Sequence, residues 1–315
     1  MNARTDTVKL AAPRAVSPRL ARRALRHARE RAIEALLFCA ALVSVAVTTG
    51  IVVILVSESL AFFEHVSLWR FLTDTQWTPL FSDAHYGILP LLSGTLVSSA
   101  VALAVAIPLG TIIAIYLSEF SPHALREVAK PFLELLGGVP TIVYGYFALL
   151  FVTPLLQKIY PGLPGFNLLS AGIVMGIMII PYVSSVSEDA MRAVPMSLRE
   201  GAYAMGATRF QTALGVVTPA AFSGIAAAYI LGISRAVGET MIVAVAAGMQ
   251  PNLTWNPLEP AATITAYIVQ VALGDLPHGS IAYQTIFAAG LTLALVTLFF
   301  NVIGHMLRKR FRQAY

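Results

Sequence analysis

Residues 91–118 read LLSGTLVSSAVALAVAIPLGTIIAIYLS, a run without one charged side chain. The hydrocarbon core of a bilayer is about 30 Å thick, and a helix crosses it with about 20 predominantly apolar residues. A transmembrane β-strand needs only about ten residues of alternating polarity, whereas the Ala, Leu, Ile and Val here are continuous. The run therefore reads as a membrane-spanning helix. The same test selects 32–56, 131–154, 168–187, 217–247 and 281–306, so an all-α integral membrane protein with six transmembrane helices is expected. Composition agrees: at 57% hydrophobic and 12% charged residues, with a mean hydropathy of +0.75, the chain has too little polar surface to cover a water-soluble globule.

Basic residues orient these spans. Of 21 Lys and Arg, nine precede Ala32, two lie in 119–130, three in 188–216 and four after Leu307. The other side carries only Arg70 and Lys158, and Arg235 is left inside a span. The positive-inside rule then places both termini in the cytoplasm. The tail RLARRALRHARERAIEALL (19–37) precedes an apolar stretch longer than the 7 to 15 residues of a cleavable signal, so the first span is read as uncleaved. The tail is either a topology signal alone or a segment resting on anionic headgroups of the membrane lipid. No folded domain accompanies it to make a nucleic-acid site.

Several chemistries are excluded. Cys39 is the one cysteine, and the histidines at 27, 65, 85, 123, 278 and 305 show no ligand spacing, so no metal site is expected. None of the lysines (Lys9, Lys130, Lys158, Lys309) follows a glycine, which removes a phosphate-cradling loop and with it ATP hydrolysis by this chain. No nucleophile elbow or Cys/His pair is present, so no catalytic residue is assigned and no bound cofactor is expected.

The cytoplasmic segment SEDAMRAVPMSLREGAYAMGATRFQTALGVVTPAA (187–221) is too apolar for a floppy linker. It reads as a short helix opened by Pro195 and Ser197, with Glu200 in its first turn, where a negative charge suits the helix dipole. Gly206 then lets the chain turn before Arg209. Glu200-Gly201-Ala202, Gly206 and Val216-Val217-Thr218-Pro219 resemble the EAA motif of bacterial ABC importer permeases, with Gly201, Val216 and Thr218 as departures from it. The resemblance implies a coupling helix that docks on an ATPase subunit, through Glu200, Gly201, Ala202, Gly206, Ala207 and Arg209.

Within that superfamily the chain resembles the PstC-type permease subunit of the high-affinity phosphate importer. The likeness runs through FLTDTQWTPLF (71–81), YGILPLLSGTL (86–96), IPLGTIIAIYLSEF (107–120), PFLELLGGVPTIVYGYFAL (131–149) and GISRAVGETM (232–241). It implies the type I ABC importer permease fold, in the bacterial inner membrane, working by alternating access. The implied partners are a second permease of the PstA type, two ATPase subunits carrying ATP and Mg, and a phosphate-binding protein. A phosphate-signalling regulator and a sensor kinase are further possible partners. The implied organisation is a basic tail (1–31), a transmembrane permease domain (32–306, core 91–306) and a second basic tail (307–315). The coupling loop is 188–216, and the external loops are 57–90 and 248–280.

Arg235 and Glu239 sit within the run 217–247. A charge at mid-membrane costs about 2.5 to 3.5 kcal/mol on insertion scales and normally faces a cavity or a partner. Spacing of i, i+4 predicts both side chains on one helix face, beside a stripe of small residues, Gly224, Ala228, Gly232 and Ala236, that lets another helix approach. The functional reading makes Arg235 and Glu239 part of the substrate path: a guanidinium binds two oxygens of an oxyanion, and a carboxylate accepts the proton that hydrogen phosphate carries and sulfate lacks. The alternative is a salt bridge locking helices or subunits. Thr240 lines the path or bonds its own backbone.

Gly137-Gly138 and Pro140 predict a bend in the third span, either an ordinary kink or a hinge, with Thr141 and Tyr144 lining the path. Pro108 and Pro181 predict kinks. The aromatics of 57–90 (Phe62, Phe63, Trp69, Phe71, Trp77) read as an interfacial belt or as a landing surface for a binding protein. AATITAYIVQVALG (261–274) is too short to span and predicts an external helix on or dipping into the membrane. The expected function is passage of phosphate; the rivals are a sulfate or molybdate permease and a phosphate-sensing signalling scaffold.

Overall fold

The computed structural model describes residues 18–277 and 279–310. Expectations for 1–17, His278 and 311–315, which include the outer parts of both basic tails, lie outside the described residues. One compact unit ends at Ile54 and a second begins at Leu55, so helix α1 (Pro18–His65) crosses the boundary. In the first unit it carries exposed Leu36, Leu37, Phe38, Leu42 and Ile51, the surface a lipid-facing span requires.

The second unit continues with α2 (Leu68–Thr73) and α3 (Leu89–Ile115), which a π-helical turn extends through Tyr116–Phe120. Next come α4 (His123–Gly138), α5 (Thr141–Phe147), a π turn (Ala148–Val152) and α6 (Thr153–Ile159). Helix α7 spans Leu168–Arg192, α8 Met196–Ala204 and α9 Arg209–Thr212. A π turn (Ala213–Val217) leads into α10 (Thr218–Ala220), α11 (Phe222–Val237), α12 (Met241–Ala246), α13 (Ile264–Ala272) and α14 (Ile281–Arg310). Among the described residues there is no β-strand, only an isolated bridge between Trp77 and Tyr86. Five helical stretches are long and apolar enough to cross a membrane, and Arg209–Ala220 with Phe222–Val237, joined at 73°, makes a sixth if counted as one span.

Two expected spans need correction. The third, 131–154, is not one helix: α4 stops at Gly138, Pro140 caps a new helix, and the apolar span is Thr141–Ile159. Gly137 and Gly138 make continuation costly, and Pro140 supplies no N–H to carry the ladder across. Helix α4 has no buried residue. The fifth, 217–247, bends at Ala221 and ends at Val237, after which α12 starts separately at Met241. By contrast, Pro108 and Pro181 lie inside unbroken α3 and α7.

The core is built on α3 against α7, with Ala102, Ala106, Leu168, Val174, Met175 and Ile179 fully buried. Small residues set the approach: a Cβ on Gly176 would meet the Ala102 carbonyl oxygen at 2.7 Å and the Val105 Cβ at 2.8 Å. Gly176→Val is therefore expected to lower the thermal midpoint of the detergent-extracted chain, by the roughly 1–3 kcal/mol typical of overpacking. An unchanged midpoint would show that the two helices can separate freely. Helix α11 lays its small stripe on α7, with Gly224 against Ala190 and Gly232 against Val183 and Ile179.

On the outer side, three of the five expected belt aromatics are core instead. Phe62, Phe71 and Trp77 are buried in edge-to-face contacts with Phe63, Tyr86 and Tyr267, whereas Trp69 is exposed. The segment expected as an external helix is α13, and its Ile264, Thr265, Ala266, Tyr267 and Val271 are buried. Its start is tied down twice: Thr263 caps it, and the Ile264 N–H donates to Thr95 Oγ1 of α3 at 3.0 Å.

His85 closes the outer loop from Asp74 to Gly87, with Nδ1 at 2.9 Å from Asp74 Oδ2, while the Gln76 N–H donates to the other Asp74 oxygen. The hydrogen bond to Asp74 raises the His85 pKa above its ordinary value against the opposing effect of desolvation. Burial pushes Asp74 up, but the bonds from His85 and Gln76 outweigh it and the net shift is downward. The His85 contribution is full below its unfolded value and is lost as pH rises through its raised folded value. The Asp74 contribution is full above its unfolded value and is lost as pH falls through its lowered folded value. The loop is thus firmest between the carboxylate and histidine ranges. Raising pH from about 6 to about 8.5 should speed amide exchange in 74–87 beyond the intrinsic chemical rate, and His85→Gln should remove that excess. A wild-type loop with no excess would show that the contact does not hold it.

Candidate functional site

The residues of interest lie near two helix breaks, at 139–140 between α4 and α5 and at 238–240 between α11 and α12. Helix α11 carries Arg235 in its last turn, and Gly238 follows as its cap. Glu239 lies beyond that cap, so the i, i+4 geometry expected for Arg235 and Glu239 does not exist, because that spacing holds only within an unbroken helix. The ion pairs among the described residues include neither side chain.

Each charge has a different environment instead. The Arg235 guanidinium sits over the Tyr182 ring of α7, 5.5 Å from its centroid, with Nη2 at 4.0 Å from Met178 Sδ. Its Nε is buried without a hydrogen-bond partner. Glu239 is 6% exposed. Its Oε1 accepts from the N–H groups of Met241 at 3.1 Å and Ile242 at 3.4 Å, the free donors at the start of α12. Its backbone carbonyl accepts from Thr265 Oγ1 of α13 at 2.6 Å. Glu239 is thus fixed from both sides, while the Arg235 guanidinium has aromatic and sulfur neighbours and no acceptor oxygen.

The second break adjoins the first because α5 packs on α12. Tyr144 is buried, and its hydroxyl donates to the Leu136 carbonyl at 2.7 Å, so it is spent on the exposed end of α4. Tyr182 does the same for the Gly137 carbonyl at 3.2 Å. Two orphan carbonyls of α4 are satisfied in this way, and the ring beneath Arg235 is the one bonded to the break at 138–140. Thr141 is half-buried in the first turn of α5. Thr240 is half-buried, with its hydroxyl 3.4 Å from the Gly238 carbonyl, the local backbone bond that was its alternative reading.

The segment expected to couple to an ATPase, 188–216, contains α8 and α9 joined at a tight turn. Gly206 has φ +84°, with the Ala207 N–H on the Ala202 carbonyl and the Gly206 N–H on the Tyr203 carbonyl, the Schellman arrangement that ends α8. That left-handed position is the physical reason for glycine at this offset. Thr208 then opens α9 with a capping box to Gln211. Glu200, Gly201 and Arg209 are exposed, and Ala202 and Ala207 are half-buried. Glu200 falls in the second turn rather than the first, because Pro195 takes the cap position.

Sequence reasoning missed the ion pairs beneath this segment. Arg199 of α8 is buried and grips Glu119 with both arms, Nη2 to Oε1 at 2.9 Å and Nε to Oε2 at 3.2 Å. It also donates to the carbonyls of Met191 and Val194 at the end of α7. Lys130 of α4 bridges Glu188 and Asp189 of α7, each at 2.7 Å. These partners stand 58 to 80 positions apart in the chain, so no local pattern reveals them. Tyr182 was equally hidden, although its neighbour Pro181 marked that stretch of α7.

A family model described as binding-protein-dependent transport system inner membrane component matches residues 106–313. The chain is 36% identical over 272 residues to the probable ABC transporter permease protein YqgH of Bacillus subtilis, covering 86% of this chain and 88% of that protein. It is 33% identical over 264 residues to the phosphate transport system permease protein PstC of Mesorhizobium japonicum, covering 77% and 79%. It is 32% identical over 279 residues to the phosphate transport system permease protein PstC 1 of Mycobacterium tuberculosis, covering 76% and 82%. Among solved structures it resembles a bacterial ABC transporter involved in alginate import, with a TM-score of 0.60 at 17% identity, covering 91% of this chain and 100% of that one. An inward-facing form of the MetNI methionine ABC transporter has a TM-score of 0.53 at 17% identity, covering 72% and 95%. At such identities the likeness is one of fold.

Proposed function

This chain belongs to the binding-protein-dependent transport system inner membrane component family, and we propose that it forms, with a second permease of the PstA type, the path for inorganic phosphate. Its type I importer permease fold and its multi-pass place in the inner membrane accompany that membership. ATP and Mg belong to two partner ATPase subunits in this reading, and a phosphate-binding protein delivers the ion from outside. The coupling residues Glu200, Gly201, Ala202, Gly206, Ala207 and Arg209 receive the ATPase stroke.

The observation that carries the reading is the unpaired Arg235 guanidinium beside two helix breaks, at 139–140 and 238–240. Discontinuous helices at the membrane midplane are where transporters build ion sites, and a half-buried cation whose Nε is buried without a partner lacks an acceptor that an oxyanion supplies. Tyr182 holds the guanidinium open by engaging its face rather than its N–H groups. Glu239 uses Oε1 on the α12 amides, and Oε2 is the atom that accepts the proton of hydrogen phosphate. Thr141 and Thr240 border the same region, while Tyr144 contributes by holding the hinge. The phosphate relatives favour phosphate over sulfate or molybdate among possible cargoes.

The test is labelled phosphate uptake by the reconstituted complex, with arsenate, sulfate and molybdate as competitors. Phosphate and arsenate should compete and sulfate should not. In Glu239→Gln the advantage of phosphate over sulfate should shrink about tenfold, the worth of one hydrogen bond of about 1.4 kcal/mol. Equal competition by sulfate in the wild type would sink the phosphate reading, and unchanged discrimination in the variant would remove Glu239 from it.

A further inference from the structure

The apolar run of α14 closes at Leu307, and Arg308, Lys309 and Arg310 follow it. That basic end does not stand alone. Ser234 Oγ of α11 donates to Asn301 Oδ1 at 3.1 Å, and one turn further along Gly304 lies against Ile230. Numbers fall on α11 as they rise on α14, so the two helices run antiparallel and the first turn of α11 reaches the last turns of α14. There Ser223, His305, Arg308 and Lys309 line one hollow.

The hollow is unbalanced in charge. His305, Arg308 and Lys309 share a helix face by their i, i+3 and i+4 spacing, and Arg308 Nη2 stands 3.2 Å from His305 Nδ1, a contact that steadies the guanidinium without neutralising it. Among the described residues Arg308, Lys309 and Arg310 enter no ion pair. Ser223 adds a hydroxyl in the first turn of α11, where the helix dipole also favours an anion. The chain's own outlying segments do not supply one: 1–17 and 311–315 bring Arg4, Lys9, Arg14 and Arg312 against Asp6 alone. The adjoining face is apolar. Ile303 and Met306 are exposed and line a second hollow with Lys309 and Arg310, so Lys309 borders both.

We infer that the end of α14 and the start of α11 form a binding site for one anionic phospholipid. Its phosphate lies between Ser223, Arg308 and Lys309, where a guanidinium fork and an ammonium meet its oxygens, and an acyl chain covers Ile303 and Met306. The two hollows together select the class of ligand: a free phosphate leaves the apolar face bare, and a zwitterionic lipid brings its own cation to the basic one. Bound there, the lipid ties the first turn of α11 to α14, just beyond the bend at Ala221 through which the segment 188–216 joins its span. The site does not rest on the cargo assigned to the path.

The test is photo-crosslinking on the complete complex in phosphatidylcholine nanodiscs, with a phosphatidylglycerol that carries a diazirine in one acyl chain. Label should appear in peptides covering 303–310. Unlabelled phosphatidylglycerol should compete it away, whereas added phosphatidylcholine and millimolar inorganic phosphate should not. Arg308→Gln combined with Lys309→Gln should raise the phosphatidylglycerol content needed for half-maximal labelling about thirtyfold, the worth of two basic side chains at a membrane surface. Arg29→Gln combined with Arg31→Gln, an equal loss of charge at exposed positions of α1, should leave that content unchanged. Absence of label in 303–310, or equal competition by phosphatidylcholine or by inorganic phosphate, would overturn the inference in the wild type alone, whatever the variants do. Labelling unchanged in the α14 double variant, or weakened as much in the α1 pair, would overturn it too, because the attraction would then be that of the basic surface as a whole.

Discussion

Phosphate uptake by the complex carrying Arg235→Gln is expected to fall at least about a hundredfold, while ATP hydrolysis and assembly with the partner subunits persist. Glutamine keeps hydrogen-bonding capacity and removes the charge, so the substitution tests attraction rather than packing. The half-buried guanidinium has Tyr182 beneath it, Met178 beside it and no carboxylate. Losing a charge that makes no ion pair leaves no orphan carboxylate behind, and the fold should tolerate it better than it tolerates loss of a paired residue. Tyr182→Phe separates the two roles of the ring: it keeps the face under Arg235 and loses the bond to the Gly137 carbonyl. Survival of normal uptake in Arg235→Gln would show that the arginine packs against α7 and does not meet the ion.

The second large effect is expected at Arg199. Arg199→Met removes both bonds to Glu119 and both carbonyl bonds to the end of α7. Stranding a buried carboxylate by removing its partner costs about 3–5 kcal/mol, a large share of the stability of most domains. The extracted chain should melt earlier, and the uptake achieved per ATP hydrolysed should drop, because α8 loses its anchor on α3 and α7. Glu119→Gln should be milder, since an amide oxygen still accepts from the guanidinium. Exchanging the two residues, Glu119→Arg with Arg199→Glu, should not rescue, because a carboxylate at 199 faces the Met191 and Val194 carbonyls and repels them. A stable, fully coupled Arg199→Met complex would show that α8 is held by its apolar contacts alone.

Much was legible in the residues themselves. Apolar runs of bilayer length and the offsets of Glu200, Gly206 and Pro219 depend only on chain composition and spacing, and these led to an all-helical membrane protein and to a short helix that turns at Gly206. Gly206 illustrates why: a glycine needed for left-handed backbone announces itself locally, and its φ of +84° is where a helix must reverse. The breaks were only half legible. Gly137, Gly138 and Pro140 signalled weakness, but a helix stops rather than bends when other groups accept its freed ends, and the hydroxyls of Tyr144 and Tyr182 that do so come from α5 and from α7.

The candidate site shows the same division. Sequence by itself determined that a cation and an anion stand four positions apart in one apolar run, because residue identity and hydropathy are properties of the chain. Whether they face each other was decided by the tertiary structure. Helical spacing has meaning only while backbone hydrogen bonds continue, and they stop at Val237. Glu239 then turns to the amides of α12, and Arg235 to a ring on α7. The Glu119–Arg199 grip likewise joins residues 80 positions apart, a separation across which only the packing of α3, α7 and α8 can bring two charges into contact and exclude water from them.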